Sequence, residues 1–234
     1  MTPLPSHLVG ILDSGLNTTH PHVSGLQHSG FALYQDGEGF RRDNDYADCT
    51  GHGTAVTAAL YRALPNVSVL VIRLLDDDLR CTSQVLAEGI RAAASAGCKV
   101  INLSLGSTDP DSIPRLQDAV EEARSLGSFC VAAAHPRGRA LWPADLPSVF
   151  SAQAHRSCPL DDLFSMPDGA ARYLTHGFPR PIEGQPPTQN FFGSSFAAVH
   201  LSARLMRLIQ ELEDPDFAAL KDALDAQCRG EWAG

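Results

Sequence analysis

The sequence is poor in lysine and lacks the features that mark nucleic-acid-binding and membrane-spanning proteins. Lysine occurs only at Lys99 and Lys221, and the 234 residues carry a formal net charge of −9. Because binding to phosphate requires clustered Lys and Arg, this balance argues against a nucleic-acid partner. No apolar run approaches the roughly 18 residues of a transmembrane helix. We therefore expect neither a nucleic acid nor a membrane as a partner.

The N-terminus lacks a secretory pattern, and the six cysteines lack the spacing of a metal site. No basic segment followed by an apolar stretch and a small-residue cleavage site precedes the first strand-like run, so no signal peptide is expected. No two cysteines stand as C-x-x-C, so neither zinc nor another metal or cofactor is expected. Free thiols in a reducing cytoplasm are expected instead of disulfides. Cys98 and Cys130 lie in apolar surroundings and are predicted to be buried.

Short apolar runs alternate along the chain with helical patterns. The runs typical of buried parallel strands lie at 8–12, 67–74, 100–105 and 129–134. The helical patterns lie at 54–64, 83–96, 114–126, 195–212 and 216–227, and Gly97 and Gly127 suit the ends of two of them. Residues 136–189 are predicted to form loops with one or two short strands, such as 148–152. The alternation predicts one α/β domain over residues 1–234, with a mainly parallel central sheet flanked by helices.

Three polar side chains stand at the ends of these apolar elements. Asp13 follows the first strand, His52 lies between two glycines before the first helix, and Ser195 opens the long fourth helix. Each has a plain structural explanation by itself, as a turn former, a loop residue or a helix N-cap. Together they are the groups that a serine nucleophile requires, because its hydroxyl needs a histidine base and the base needs an orienting carboxylate.

The flanks of these residues resemble the motifs of the subtilisin-like serine peptidases. Residues 9–15, Val-Gly-Ile-Leu-Asp-Ser-Gly, followed by His20-Pro21, are similar to the aspartate motif of that family. Residues 51–54, Gly-His-Gly-Thr, are similar to its histidine motif. Residues 193–197, Gly-Ser-Ser-Phe-Ala, with His200 following, are similar to its serine motif, and residues 100–106 to its substrate-binding strand. The chain order Asp, His, Ser is also that of the family.

The resemblance extends from about Leu8 to Gln227 and implies a three-layer subtilisin-like fold. It implies that Ser195 attacks the peptide carbonyl, that His52 accepts and returns the proton, and that Asp13 orients His52. A peptide would bind by strand addition. The positions implied to bind it are Ser104, Leu105, Gly106, Ala133 and Ala134.

The chain departs from the family at the oxyanion hole. In the family the strand Val-Ala-Ala-Ala runs into Gly-Asn, and the Asn side chain donates to the oxyanion. Here residues 131–134 run into His135-Pro136, and proline offers no donor. The backbone N–H of Ser195 remains as one donor. Three explanations stay open for the other: His135 replaces the Asn, a loop side chain replaces it, or the protein is slow or inactive.

Other departures concern calcium and folding. The connection from the first helix to the next strand, Pro65-Asn66, is too short for the family's calcium loop, since calcium takes six to eight oxygen ligands. The acidic run at 76–78 is predicted to form a solvated turn. No prodomain is expected before the aspartate strand, so the chain is expected to fold unaided or with a partner protein.

These observations favour a serine endopeptidase that processes a dedicated peptide or protein precursor inside the cell, through an acyl-enzyme on Ser195. A related possibility is transpeptidation, in which an amine replaces water. The alternative from another class is a catalytically impaired pseudoprotease that binds peptides or a partner protein.

Overall fold

Nine strands form a single sheet in the computed structural model, which describes residues 8–76, 78–166 and 172–232. Their order across the sheet is β3-β2-β4-β1-β5-β6-β7-β9-β8. The strands are β1 (Leu8–Asp13), β2 (Gln27–Asp36), β3 (Gly39–Asp43), β4 (Ser68–Arg73), β5 (Val100–Leu103), β6 (Phe129–Ala133), β7 (Phe150–His155), β8 (Leu163–Ser165) and β9 (Arg172–His176).

The centre of the sheet is parallel and buried on both faces. β1 pairs in parallel with β4 on one side and β5 on the other, and all six of its residues are buried. Strands buried on both faces read as continuous apolar runs, which is why β1, β4, β5 and β6 were evident in the sequence. The two antiparallel pairs, β2 with β3 and β8 with β9, lie at the edges.

Five α-helices cover the two faces within the described part of the chain: α1 (His52–Ala63), α2 (Ser83–Ser95), α3 (Ile113–Ser125), α4 (Ser194–Glu211) and α5 (Phe217–Gln227). One apolar cluster joins α1, α4 and α5 to the sheet, and the other joins α2 and α3. Side chains of β1 point to opposite faces of the sheet and so belong to different clusters: Val9 and Ile11 to the first, and Leu8 and Leu12 to the second. The predicted three-layer α/β fold is therefore confirmed.

Several local predictions are confirmed to within two residues, and others are wrong. Gly97 and Gly127 follow α2 and α3 with φ of +83° and +74°, as helix-ending glycines do. Cys98 and Cys130 are buried. The third apolar run ends as a strand at Leu103 and not at 105, because pairing to β1 and β6 stops there. The described part of 136–189 contains three strands, β7 to β9, instead of one or two, and the hairpin of β2 and the exposed β3 was not anticipated at all.

The acidic run at 76–78 lies partly outside the described residues, which exclude Asp77. Asp76 accepts backbone N–H groups from Asp78 and Arg80 at 3.0 and 2.9 Å, as in a turn. Among the described residues, no group of three or more His, Cys, Asp or Glu side chains is placed to hold a metal ion. The same part of the chain contains no helix that is both long and apolar enough to cross a membrane.

Candidate active site

The candidate residues come from three elements that end or begin near the carboxyl ends of the central parallel strands. Asp13 is the last residue of β1, His52 is the first residue of α1, and Ser195 is the second residue of α4. Helix α4 packs across β5, β6 and β7 and against α1, which brings its first turn toward the N-terminal end of α1. Carboxyl ends of parallel strands are where open α/β sheets form their sites.

Asp13 and His52 form a short hydrogen bond. Nδ1 of His52 lies 2.7 Å from Oδ1 of Asp13, and the N–H of Ser14 donates to the same oxygen at 2.7 Å. Asp13 is fully buried, and 17% of the His52 side chain is exposed. A proton on Nδ1, held by the carboxylate, leaves the Nε2 lone pair of a neutral imidazole available to accept a proton. This is the geometry of an oriented general base.

The pKa of His52 is raised above its usual value of 6.5 by opposing causes. Burial lowers the pKa, because it disfavours the charged ring. The hydrogen bond to Asp13, the charge of Asp13 and the charge of Asp48 all raise it, and together they outweigh burial. His52 is therefore stabilised as the imidazolium ion that forms when it accepts a proton.

Asp48 organises the loop before His52, and sequence reasoning missed it. Its Oδ1 accepts from the Ser14 hydroxyl, from Thr50 and from the N–H of Gly51. Its Oδ2 accepts the N–H and the hydroxyl of Thr54, at 2.8 and 2.6 Å. These bonds lower the pKa of the Asp48 carboxyl in spite of its burial. The only sequence signal was an Asp two residues before Thr-Gly, the pattern of an Asx turn.

Ser195 lies beside His52 but directs its hydroxyl elsewhere. Its Oγ donates to the backbone oxygen of Ser104 at 3.2 Å, and among the described residues no hydrogen bond joins Ser195 to His52. The ring of Phe196, the next residue, lies 5.5 Å from the His52 ring.

The expected peptide-binding segment leaves the sheet after Leu103 with its backbone exposed to a ligand. Within the described residues, the N–H groups of Leu105 and Gly106 have no hydrogen-bond acceptor. Residue 106 must be glycine for steric reasons, because a Cβ there would lie 2.7 Å from the Trp142 oxygen and 2.8 Å from Cγ of Leu141. Of the two alanines implied to bind peptide, Ala133 is buried, and Ala134 borders a small cavity of about 30 Å³ next to His135.

The contacts of His135 lie within its own turn. Its Nδ1 accepts from the N–H of Arg137 at 3.1 Å, and its Nε2 lies 3.1 Å from a guanidinium nitrogen of Arg139. With Nδ1 as acceptor, the N–H of a neutral ring is on Nε2, and its contact with the guanidinium is not a hydrogen bond, because both groups are donors. Pro136, the next residue, is exposed. The N–H of Ser195, in the first turn of α4, has no acceptor among the described residues and can donate to an oxyanion.

Comparison with known proteins shows one family. The model of the subtilase family, Peptidase_S8, matches residues 6–155, which is more than half of the chain but ends before Ser195. Thermitase of Thermoactinomyces vulgaris is 35% identical over 134 residues, covering 56% of this chain and 47% of thermitase. The chain spans about half the length of the curated relatives it matches.

Two solved structures show the same fold at low sequence identity. A cold-adapted subtilisin-like serine proteinase aligns with a TM-score of 0.72 and 21% identity, covering 96% of this chain and 85% of that one. The prenylagaramide maturation protease PagA aligns with a TM-score of 0.66 and 21% identity, covering 94% of this chain and 82% of that one.

Proposed function

The chain belongs to the subtilase family, and we propose that it is a serine endopeptidase with Ser195 as nucleophile, His52 as base and Asp13 as the residue that orients the base. The observation that carries the proposal is the 2.7 Å hydrogen bond between His52 and the buried Asp13, beside the first turn of the helix that bears Ser195. A buried carboxylate that fixes the imidazole tautomer is what a serine nucleophile requires.

In the proposed reaction, a peptide adds as a strand beside residues 104–106 and takes the backbone oxygen of Ser104 as an acceptor. The Ser195 hydroxyl then turns to Nε2 of His52, gives up its proton and attacks the scissile carbonyl. The N–H of Ser195 donates to the oxyanion. His52 protonates the leaving amine, and water, activated in the same way, releases the acyl group from Ser195.

We further propose that the substrate is a dedicated peptide or protein precursor in the cytoplasm. With Pro136, the chain lacks the side chain that donates to the oxyanion in the family. In subtilisin the loss of that donor lowers turnover by roughly 10²–10³. A slow enzyme suits the selective processing of one substrate better than general digestion. One protein of the same fold is named a maturation protease. All six cysteines are free, as reducing surroundings favour. Transpeptidation is a variant of this proposal, in which an amine replaces water, and a partner protein that assists folding is a further part of it.

The second candidate is a pseudoprotease that binds peptides without cutting them. Two observations favour it: Pro136 stands where the Asn donor is expected, and the Ser195 hydroxyl is bonded to Ser104 instead of His52. Both candidates use the same peptide-binding segment, so peptide binding alone does not separate them.

A fluorophosphonate probe separates them directly, because it forms a covalent bond with an activated serine. We expect stoichiometric labelling of Ser195 in the folded protein and none in Ser195→Ala. Ser194→Ala is the matched control, since its buried hydroxyl has no partner among the described residues and its loss should leave labelling intact. A folded wild-type protein that stays unlabelled would remove the peptidase proposal in favour of the binding protein.

A further inference from the structure

A cavity of about 610 Å³ opens next to His52, away from the segment 104–106. Its walls come from the loop after β1, from the start of α1 and from the loop before α4. Gly51 and Thr54, on either side of His52 in the chain, line it, and so does Phe191, whose ring lies 6.1 Å from the His52 ring. Residues 104–106 and Ser195 are not among the lining residues.

The cavity lies on the side of the leaving fragment. In the proposed reaction His52 delivers its proton to the leaving amine, so the chain after the scissile bond must pass His52. The chain before that bond lies along residues 104–106. An extended peptide advances about 3.3 Å per residue, and Phe191, which lines the cavity, lies 6.1 Å from the His52 ring, so we place the first two residues after the cut in the cavity.

The cavity wall carries a guanidinium without a carboxylate partner. Nη1 of Arg180 donates to the backbone oxygen of His22 at 3.3 Å, and the Asn190 side chain holds the Arg180 oxygen at 3.1 Å. Within the described residues, no carboxylate lies within ion-pair distance of Arg180, although the chain has nine more acidic than basic residues. The remaining N–H groups of Arg180 can form the paired hydrogen bonds that a carboxylate accepts.

The other ionisable groups of the wall do not pair with Arg180. Asp48 borders the cavity and keeps its negative charge, but its oxygens accept the donors of Ser14, Thr50, Gly51 and Thr54, and within the described residues no ion pair joins it to Arg180. The pKa of His22 is lowered from its usual 6.5 by burial and by the charge of Arg180, so the neutral form of His22 is favoured at pH 7. His20 accepts the N–H of His22 at Nδ1, which leaves the Nε2–H as a further donor.

We infer that this cavity binds a carboxylate on the leaving fragment through Arg180, and that the enzyme thereby selects peptides that are acidic within two residues after the cut. The inference rests on the proposed function, because it assigns a side of the scissile bond. The carboxylate can belong to an Asp or Glu side chain or to the free C-terminus of a short leaving fragment, and the two sources share the same chemistry.

The test begins with a peptide library digested by the wild-type protein, in which mass spectrometry locates the cuts. Peptides around a preferred cut are then made in pairs, with Glu or Gln at the first or second position after it and an amidated C-terminus. We expect the wild type to favour Glu by about tenfold in kcat/KM, the contribution of one charged hydrogen bond. A third peptide with Gln and a free C-terminus directly after it tests the terminal carboxylate.

Three variants connect the preference to Arg180. Arg180→Gln should bring the Glu-to-Gln ratio close to one, and Arg180→Glu should invert the ratio. Arg41→Gln, on the exposed strand β3, is the matched control and should keep the wild-type ratio. The ratio compares two substrates of one protein sample, so partial misfolding of a variant does not change it.

The outcomes separate this inference from the proposed function. Equal rates on Glu, Gln and free-terminus peptides would overturn the inference while leaving the peptidase intact. A preference that persists in Arg180→Gln would overturn it equally. If no peptide is cut, members of the library are labelled with a fluorophore and their binding is measured by anisotropy. Tighter binding of acidic peptides that Arg180→Gln abolishes would support the carboxylate site without the peptidase, and equal binding of acidic and neutral peptides would refute the site.

Discussion

Acidification from pH 7 to pH 5 should destabilise the fold through His200, which lies inside α4 and is 9% exposed. Its Nε2–H donates to the backbone oxygen of Phe178 at 2.8 Å. Burial lowers its pKa to about 4, aided by the charges of His176, Arg204 and Arg62, while the bond to Phe178 opposes the shift. The ring is therefore neutral in the folded protein at pH 5 and largely charged in the unfolded chain.

The sign and size of the effect follow from proton linkage. Between the folded pKa of about 4 and the unfolded value of 6.5, the unfolded chain binds more protons, so stability is lost as the pH falls through this window. For these two values the free energy of unfolding decreases by about 2 kcal/mol between pH 7 and pH 5, and by about 3 kcal/mol at pH 4. This is a large share of the 5–15 kcal/mol that stabilises a typical domain.

The assay is urea unfolding at pH 7 and pH 5, in a Ser195→Ala background that prevents self-cleavage. Other groups titrate in this range, among them His52, whose raised pKa favours the fold in acid, so the informative quantity is a difference between variants. His200→Gln keeps a donor for the Phe178 oxygen but cannot titrate, and it should lose about 2 kcal/mol less than its parent. His28→Gln, at an exposed site, should behave like the parent. Equal losses in the parent and in His200→Gln would refute the reasoning.

Two further predictions concern the reaction. Asp48→Asn removes a charge that raises the His52 pKa, so the acid limb of kcat/KM should move to lower pH, and an unchanged or raised limb would contradict this. His135→Ala should leave turnover within a few-fold of wild type, because the ring accepts from the N–H of Arg137 and lies beside Arg139, within its own turn; a loss of roughly two orders of magnitude would identify it as an oxyanion donor.

The sequence predicted the parts of the fold and site that local patterns encode. The strand before Asp13 is buried on both faces, so its apolar run was unmistakable, and the glycines around His52 marked a tight turn. The hairpin strand β3 has no buried residue and therefore carries no apolar alternation that could reveal it. Arg180 meets His22 across 158 residues of chain, a contact that only the assembled fold creates. The bond from Ser195 to Ser104 likewise depends on a side-chain rotation that no pattern records.

The position of α4 bears on when the protein acquires its reactivity. Asp13 and His52 belong to the first strand and the first helix, whereas Ser195 arrives on a helix that packs across β5, β6 and β7. Contacts between segments so distant in the chain form slowly, because loop-closure entropy must first be overcome. During synthesis, a nascent chain that has folded only its first half holds the proposed base without the proposed nucleophile. The cleavage activity proposed for this chain should therefore appear late, with the docking of α4, which would protect neighbouring nascent proteins and the chain itself from premature attack.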